Sequence, residues 1–453
     1  MTASASAIEH FKSGLTGSVL RPVDDGYEDA RRIWNAMVDK RPALIARCRT
    51  VSDIASSVHF ARDHALPLSV RGGGHNVAGN AVCDDGLMID LSLMRGIRVS
   101  AEKRTASAEA GCTWRDFDRA THAFQLATTG GIIPATGIAG LTLGGGLGWL
   151  MRKHGLSCDN LVSVDLVLAD GRRVTASATE NTELFWGLRG GGGNFGVATS
   201  FQYRLHPIDK VLAGMVIHPL ERASDALKFV RGFAQSAPDD LTPMVVFLTA
   251  PDGNKALAVL GCFSGPISEG EKVLAPLRQF GAPVADTFAA ISYVDFQALL
   301  EPGFPPGLQN YWKSNFLRDL SDEVIEILVE GFRSVPSPTT AIALEQLGGA
   351  VSRVPEDDTA FNHRKNSFNA LIVSSWSDRA ENQKHIRWTR QLWQALQPHS
   401  SGDVYVNYLG QEADEGPDRV RAAYGACKYE RLLALKHEYD PQNMFRMNQN
   451  IRP

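Results

Sequence analysis

Arg71-Gly72-Gly73-Gly74-His75-Asn76-Val77-Ala78-Gly79 sets one histidine on a loop of nearly bare backbone. Glycine lacks a Cβ, so such a loop reaches positive φ and comes into contact with a ligand. An imidazole carried there can touch whatever the glycines admit.

A second cluster runs from Gly130 to Trp149 and includes Thr136, Gly137, Gly140, Gly144, Gly145 and Gly146 among small and aliphatic residues. Unpaired backbone N–H groups in such a loop can bind a pyrophosphate. A third, Arg189-Gly190-Gly191-Gly192-Gly193-Asn194-Phe195-Gly196, contains GxGxxG, but a predicted helix precedes it and β-rich Val197 to Phe201 follows. A dinucleotide fingerprint has the reverse order, strand before helix, so a Rossmann unit is rejected. GxxxxGK[ST], HExxH and CxxC are all missing, and no metal site is expected. Cys158 has no base nearby in sequence and reads as an inert thiol. Tyr405 and Tyr408 read on spacing alone as core aromatics, since a phenol with a pKa near 10 is a weak base at neutral pH.

The elements that must position these residues are legible in part. Ala43 to Arg47 reads as a strand, Ser52 caps a helix to about His64, and Leu66 to Val70 returns as a second strand ending at the glycines. Gly86 to Leu91, Thr105 to Gly111, Leu161 to Leu168, Arg173 to Ala176 and Gly196 to Leu205 read as further strands, with Asp170-Gly171 as a hairpin signal. Thr113 opens a helix to about Phe124, and Thr182 to Leu188 is a short one. Beyond His206-Pro207 the chain changes to long strands, such as Met244 to Leu248, and amphipathic helices, such as Asp322 to Phe332. Tyr405 to Tyr408 reads as a strand, and a helix from about Pro417 to His437 precedes an Asn- and aromatic-rich tail after Pro441.

Composition narrows the partners. The 453 residues carry a net charge of −4, with 44% hydrophobic and 21% charged residues and no basic block, which disfavours nucleic acid and anionic membranes. The chain lacks an apolar run of about 20 residues, so no span is expected, and Met1 to Val19 does not read as a secretory signal. Six scattered cysteines (48, 83, 112, 158, 262, 427) suit reduced thiols in a cytoplasmic protein. The oligomeric state is not legible.

Taken together, RGGGHNVAG, PATGIAGLTLGGGLGWLMRKHGLSCDNL, DGRRVTASATENTELFWGLRGGGGNFGV and YVNY with EYDPQNMFRMNQNI resemble, in order and over nearly the whole chain, the berberine-bridge-enzyme-like FAD-linked oxidases of the vanillyl-alcohol oxidase superfamily. In motif style they are most similar to the bacterial 6-hydroxy-D-nicotine oxidase type.

The resemblance implies an α+β fold. A PCMH-type two-part FAD-binding domain would take residues 1–205 (core about 40–207). An antiparallel substrate sheet covered by helices would take 206–404, and 405–453 would return to the FAD domain. It implies a flavoprotein oxidase that moves hydride from a CH–OH or CH–NH substrate to FAD, with O2 or another electron acceptor completing turnover. A dehydrogenase or a non-catalytic flavin binder are the alternatives. His75 matches the residue bonded to the flavin 8α-methyl. Arg71, Gly72, Gly73, Gly74, Asn76, Gly79, Thr136, Gly137, Gly140, Gly144, Gly145, Gly146, Gly196, Val197, Tyr405, Asn448 and Asn450 are the expected further FAD contacts. Tyr408 matches the catalytic base, provided a nearby donor or cation lowers its pKa, with Asn407 beside it. Glu345 and Gln346 are the best candidates to face the substrate, of which strand alternation allows only one, the alternative being that both line solvent. Ile133 stands where many relatives carry a second, cysteinyl attachment, so one covalent bond is expected. Thr136 stands where the family often has the valine or leucine linked to oxygen access.

Overall fold

The computed structural model describes residues 3–410 and 419–453. Its first sheet runs, edge to edge, Ser18–Leu20, Leu44–Arg47, Leu87–Asp90, Leu68–Arg71, and the last three strands are parallel. Parallel strands are covered on both faces, and Leu44, Ile45, Leu87 and Ile89 are accordingly fully buried. The helix Val51–Asp63 makes the crossover between Leu44–Arg47 and Leu68–Arg71. Its cap is Thr50 rather than Ser52. Thr50 Oγ1 accepts from Asp53 N while the Asp53 carboxylate accepts from Thr50 N, a reciprocal pair that Ser52 has no acidic partner to make.

The second sheet is antiparallel, in the order Ile97–Ser100, Thr105–Glu109, Val197–Arg204, Leu161–Val167, Arg173–Ser177. It packs on the helix Trp114–His122 through Trp114, Phe117 and Tyr203, whose rings meet edge to face. His206–Pro207 pairs with Leu126–Ala127, so these two residues belong structurally with the first part of the chain rather than with the 206–404 unit.

The large sheet is antiparallel: Ala285–Asp286, Lys210–Pro219, Lys255–Phe263, Leu241–Thr249, Ala341–Gln346, Phe368–Trp376, Gln309–Leu317, with Ala289–Ser292 paired to Lys210–Pro219. One face packs on the helices Ala223–Ser236, Asp322–Arg333 and Asn382–Leu396 through Val245, Phe247, Ile342 and Leu344. The alternate residues, Met244, Val246, Ala343 and Glu345, point the other way, onto a cavity between the sheet and the glycine loops.

Two expected elements differ. Val406–Tyr408 is a 3₁₀ turn and not a strand. Residues three apart point to opposite faces of a strand but share a face in a 3₁₀ turn; the Tyr405 and Tyr408 rings meet edge-on at 4.8 Å. The C-terminal helix is two, Arg419–Tyr424 and Ala426–Tyr439, broken at Gly425 with φ of +70°, and Pro417 lies outside the described residues. Among the described residues no helix is long and apolar enough to cross a membrane.

Candidate functional site

The cavity measures about 660 Å³ and touches all three glycine clusters. Gly73 and Gly137 approach so closely that a Cβ on either would overlap the other's backbone. The first two clusters are thus one backbone surface, with Gly72, Gly73, Thr136, Gly137 and Gly140 on the wall. Gly73→Ala is expected to cost about 1–3 kcal/mol through this overlap, read as a lowered unfolding midpoint together with weaker retention of FAD on gel filtration.

His75 stands on the wall with its ring stacked on Trp34 at 4.4 Å and 16°. Its Nε2 is buried with no hydrogen-bond partner among the described residues. Burial pulls the imidazole down to about 4, which leaves it neutral at physiological pH. Trp34 donates its Nε1 to Phe304 O at 3.1 Å and meets Trp312 edge-on at 5.5 Å, tying His75 to the far side of the cavity.

Across from the glycines, Tyr408 Oη donates to Glu345 Oε1 at 2.8 Å, and Asn369 Nδ2 donates to Glu345 Oε2 at 2.8 Å. Glu345 and Asn369 are register partners on neighbouring strands. Burial raises the Glu345 carboxyl above the ordinary range, offset in part by those two donors. Tyr408 is pushed well above 10, by burial first and then by the Glu345 charge. The expectation that a neighbouring donor or cation lowers the Tyr408 pKa is therefore corrected: its polar neighbour is an acceptor. Gln346 turns to the opposite face and donates to Ala234 O, which leaves Glu345 as the residue that faces the cavity.

Several expected contacts sit elsewhere. Arg71 turns off the wall and donates to Ala30 O. Gly79 is required by Val38, whose side chain a Cβ would strike. Gly144, Gly145 and Gly146 lie behind the wall, where Asn407, Phe361 and Ser157 occupy the space a Cβ would need. Tyr405 also lies behind it, with its Oη accepting from Gly146 N at 2.9 Å and from Asn407 Nδ2 at 2.8 Å. Asn407 reaches the wall, but its amide nitrogen is committed to Tyr405 Oη and Leu141 O, so it braces the tyrosine turn against the helix Ile138–Leu143. Gly196, Val197 and Asn448 line the cavity, and Asn448 donates to Gly193 O; Asn450 is not on the wall. Ile133 is on the wall, whereas Cys158 is fully buried away from it with its thiol pushed up by burial.

Trp34, Trp312, Asn369 and Asn194 were missed. Asn194 donates to Gly191 O and Gln449 O and accepts from Ile451 N, which fastens the C-terminal tail to the third glycine cluster. Nothing local in the sequence ties Trp34 to His75. Among the described residues no group of three or more His, Cys, Asp or Glu could hold a metal ion. Bare backbone on one wall and an unpartnered buried histidine nitrogen suit a large, planar, phosphate-bearing cofactor.

Residues 42–177 match the family model described as FAD binding domain, and residues 404–452 match the one described as Berberine and berberine like. An FAD-linked oxidoreductase of Dictyostelium discoideum is 32% identical, covering 98% of this chain and 97% of the relative. The (R)-6-hydroxynicotine oxidase of Paenarthrobacter nicotinovorans is 33% identical, covering 97% of each. The crystal structure of 6-hydroxy-D-nicotine oxidase from Arthrobacter nicotinovorans aligns with a TM-score of 0.90 at 31% identity, over 97% of this chain and 98% of that one.

Proposed function

Because the chain belongs to the berberine-bridge-enzyme-like FAD-linked oxidoreductases, we propose that it oxidises a small-molecule CH–OH or CH–NH group, with FAD bonded covalently through His75 and O2 taking the electrons. The observation that carries the reading is the Tyr408–Glu345 pair on the same cavity as His75. Gly72, Gly73, Gly137, Gly140 and Asn448 are the residues that would hold FAD. FAD, when bound, supplies the acceptor for the hydride leaving the substrate carbon and hands the electron pair to O2, or to another acceptor in a dehydrogenase.

The chain's own part is the proton. As hydride leaves, the substrate O–H or N–H must lose its proton, or positive charge builds on carbon. Tyr408 Oη accepts that proton while giving its own to Glu345 Oε1, so no free phenolate forms. Glu345 is the base and Tyr408 the relay, and Asn369 holds the carboxylate in line. His75 acts as a neutral imidazole with a free lone pair, which attachment to a carbon electrophile requires. Ile133 on the wall and the remote Cys158 favour a single attachment. A reduced, cytoplasmic setting belongs to the same proposal, with Cys427 the one exposed thiol among the described residues.

The test is an absorbance spectrum of purified protein, repeated on the acid-precipitated pellet. Flavin bands that stay with the pellet are expected. A protein that stays colourless after FAD is added overturns the reading. With a turning-over substrate, H2O2 equal to product in air marks an oxidase. Turnover only with an added quinone marks a dehydrogenase instead.

A further inference from the structure

The large sheet presents its cavity face as registered rows of side chains. Met244, Glu345 and Asn369 pair across three strands in the first row. Val246, Ala343 and Leu371 form the second, and Ala341 and Val373 pair in the next, with Trp312 opposite Val373. The carboxylate thus lies at one end of the face, and the later rows are aliphatic or aromatic apart from Ser314 opposite Leu371, whose Oγ is buried. A strap over the same space contributes Leu300, Pro302, Phe304 and Pro305, held by the Trp34 bond to Phe304 O and by an Arg115–Glu301 ion pair. The hydroxyl groups on this part of the wall are committed or hidden: Thr339 and Thr340 donate to Ser375 O, and Thr249 Oγ1 is buried. Among the described lining residues there is no lysine or arginine, and Glu345 is the only acid.

We propose that the substrate is amphiphilic: one oxidisable CH–OH or CH–NH group at the Glu345–Tyr408 end, joined to an apolar body that is uncharged or singly basic. Carbohydrates and carboxylates are excluded on the same grounds. A sugar would bring several hydroxyls to rows whose few uncommitted polar atoms, Trp312 Nε1, Ser314 Oγ and Thr249 Oγ1, are buried, and an unpaired buried hydroxyl opposes binding. A carboxylate would meet no cation and would face Glu345. A single basic nitrogen has that same carboxylate as its counter-charge. Ala341 and Ala343 leave the apolar rows open to a ring. The inference rests on the proposed placement of the reacting end at Glu345.

The experiment titrates the flavin-loaded protein anaerobically with 1-phenylethanol, 2-phenylpyrrolidine, cellobiose and mandelate, reading perturbation or bleaching of the flavin band. The two apolar probes are expected to half-saturate at concentrations at least tenfold below those of cellobiose and mandelate. Ala343→Phe, which fills the second row, is expected to weaken 2-phenylpyrrolidine at least tenfold with the flavin spectrum unchanged. Cellobiose or mandelate binding as tightly as the apolar probes, no response to any probe up to 10 mM, or unchanged affinity in Ala343→Phe overturns the substrate class. If that variant loses its flavin, the wild-type titration alone decides. A coloured protein without this selectivity fails only the substrate class, whereas a colourless one fails the FAD reading and the class together.

Discussion

Glu345→Gln is expected to lower kcat by about 10²–10⁴-fold, the usual contribution of a positioned proton acceptor, while FAD loading stays at the wild-type level. The amide keeps the size and can still accept from Tyr408, although its NH2 then faces Asn369 Nδ2, so the change removes the base and one supporting hydrogen bond. Tyr408→Phe breaks the same relay at its other end. Residues that act as a unit lose activity together and not additively, so the double variant is expected to be scarcely slower than the worse single one. Rapid-mixing rates of anaerobic flavin reduction measure this. Additive losses would mean that the two groups act separately.

The pH profile follows from the same pair. The base works when deprotonated, so activity rises with pH through the Glu345 titration. Burial lifts that carboxyl above the ordinary range, and the acid limb therefore lies above the pH at which an exposed glutamate ionises. Tyr408 is pushed upward, so no tyrosine ionisation shapes the neutral region. In Glu345→Gln the acid limb is expected to vanish. A limb that persists would assign it to another group.

His75→Ala is expected to release the flavin colour to the supernatant on acid precipitation, whereas wild-type colour stays in the pellet. His75 offers an unpartnered Nε2 on a ring clamped by Trp34. With its pKa drawn down to about 4, the imidazole is neutral throughout the working range. Attachment of added FAD to apoprotein should therefore proceed at nearly constant rate from about pH 6 to 9, and fall only when the ring protonates near its depressed pKa. A steep rise near pH 6.5 would show that the ring titrates as an exposed histidine. Pellet colour that survives in His75→Ala would place the attachment elsewhere.

Features that depend on backbone freedom and on short-range period were legible in the sequence. Gly72, Gly73 and Gly137 announce close backbone approach because only a missing Cβ permits it, and the structure sets these backbones against each other. Alternation along Ala341–Gln346 allowed only one of Glu345 and Gln346 to face the cavity, and hydrophobic period located the covering helix Asp322–Arg333. Which of the pair faces inward was decided by register: Glu345 opposite Asn369 and Met244 on the cavity side, Gln346 against the helix Ala223–Ser236. The same holds for Tyr408, whose neighbour proved to be a carboxylate supplied by a strand far away in sequence, and for Trp34, which no local pattern connects to His75. Arg71 and Gly144 to Gly146 show the converse: their motif is correct, but packing against Ala30, Asn407, Phe361 and Ser157 turns them away from the cavity. Local sequence determined where the backbone could come close. The pairing of side chains across the cavity was settled only by long-range strand register and loop closure, which place residues far apart in the chain within hydrogen-bond reach.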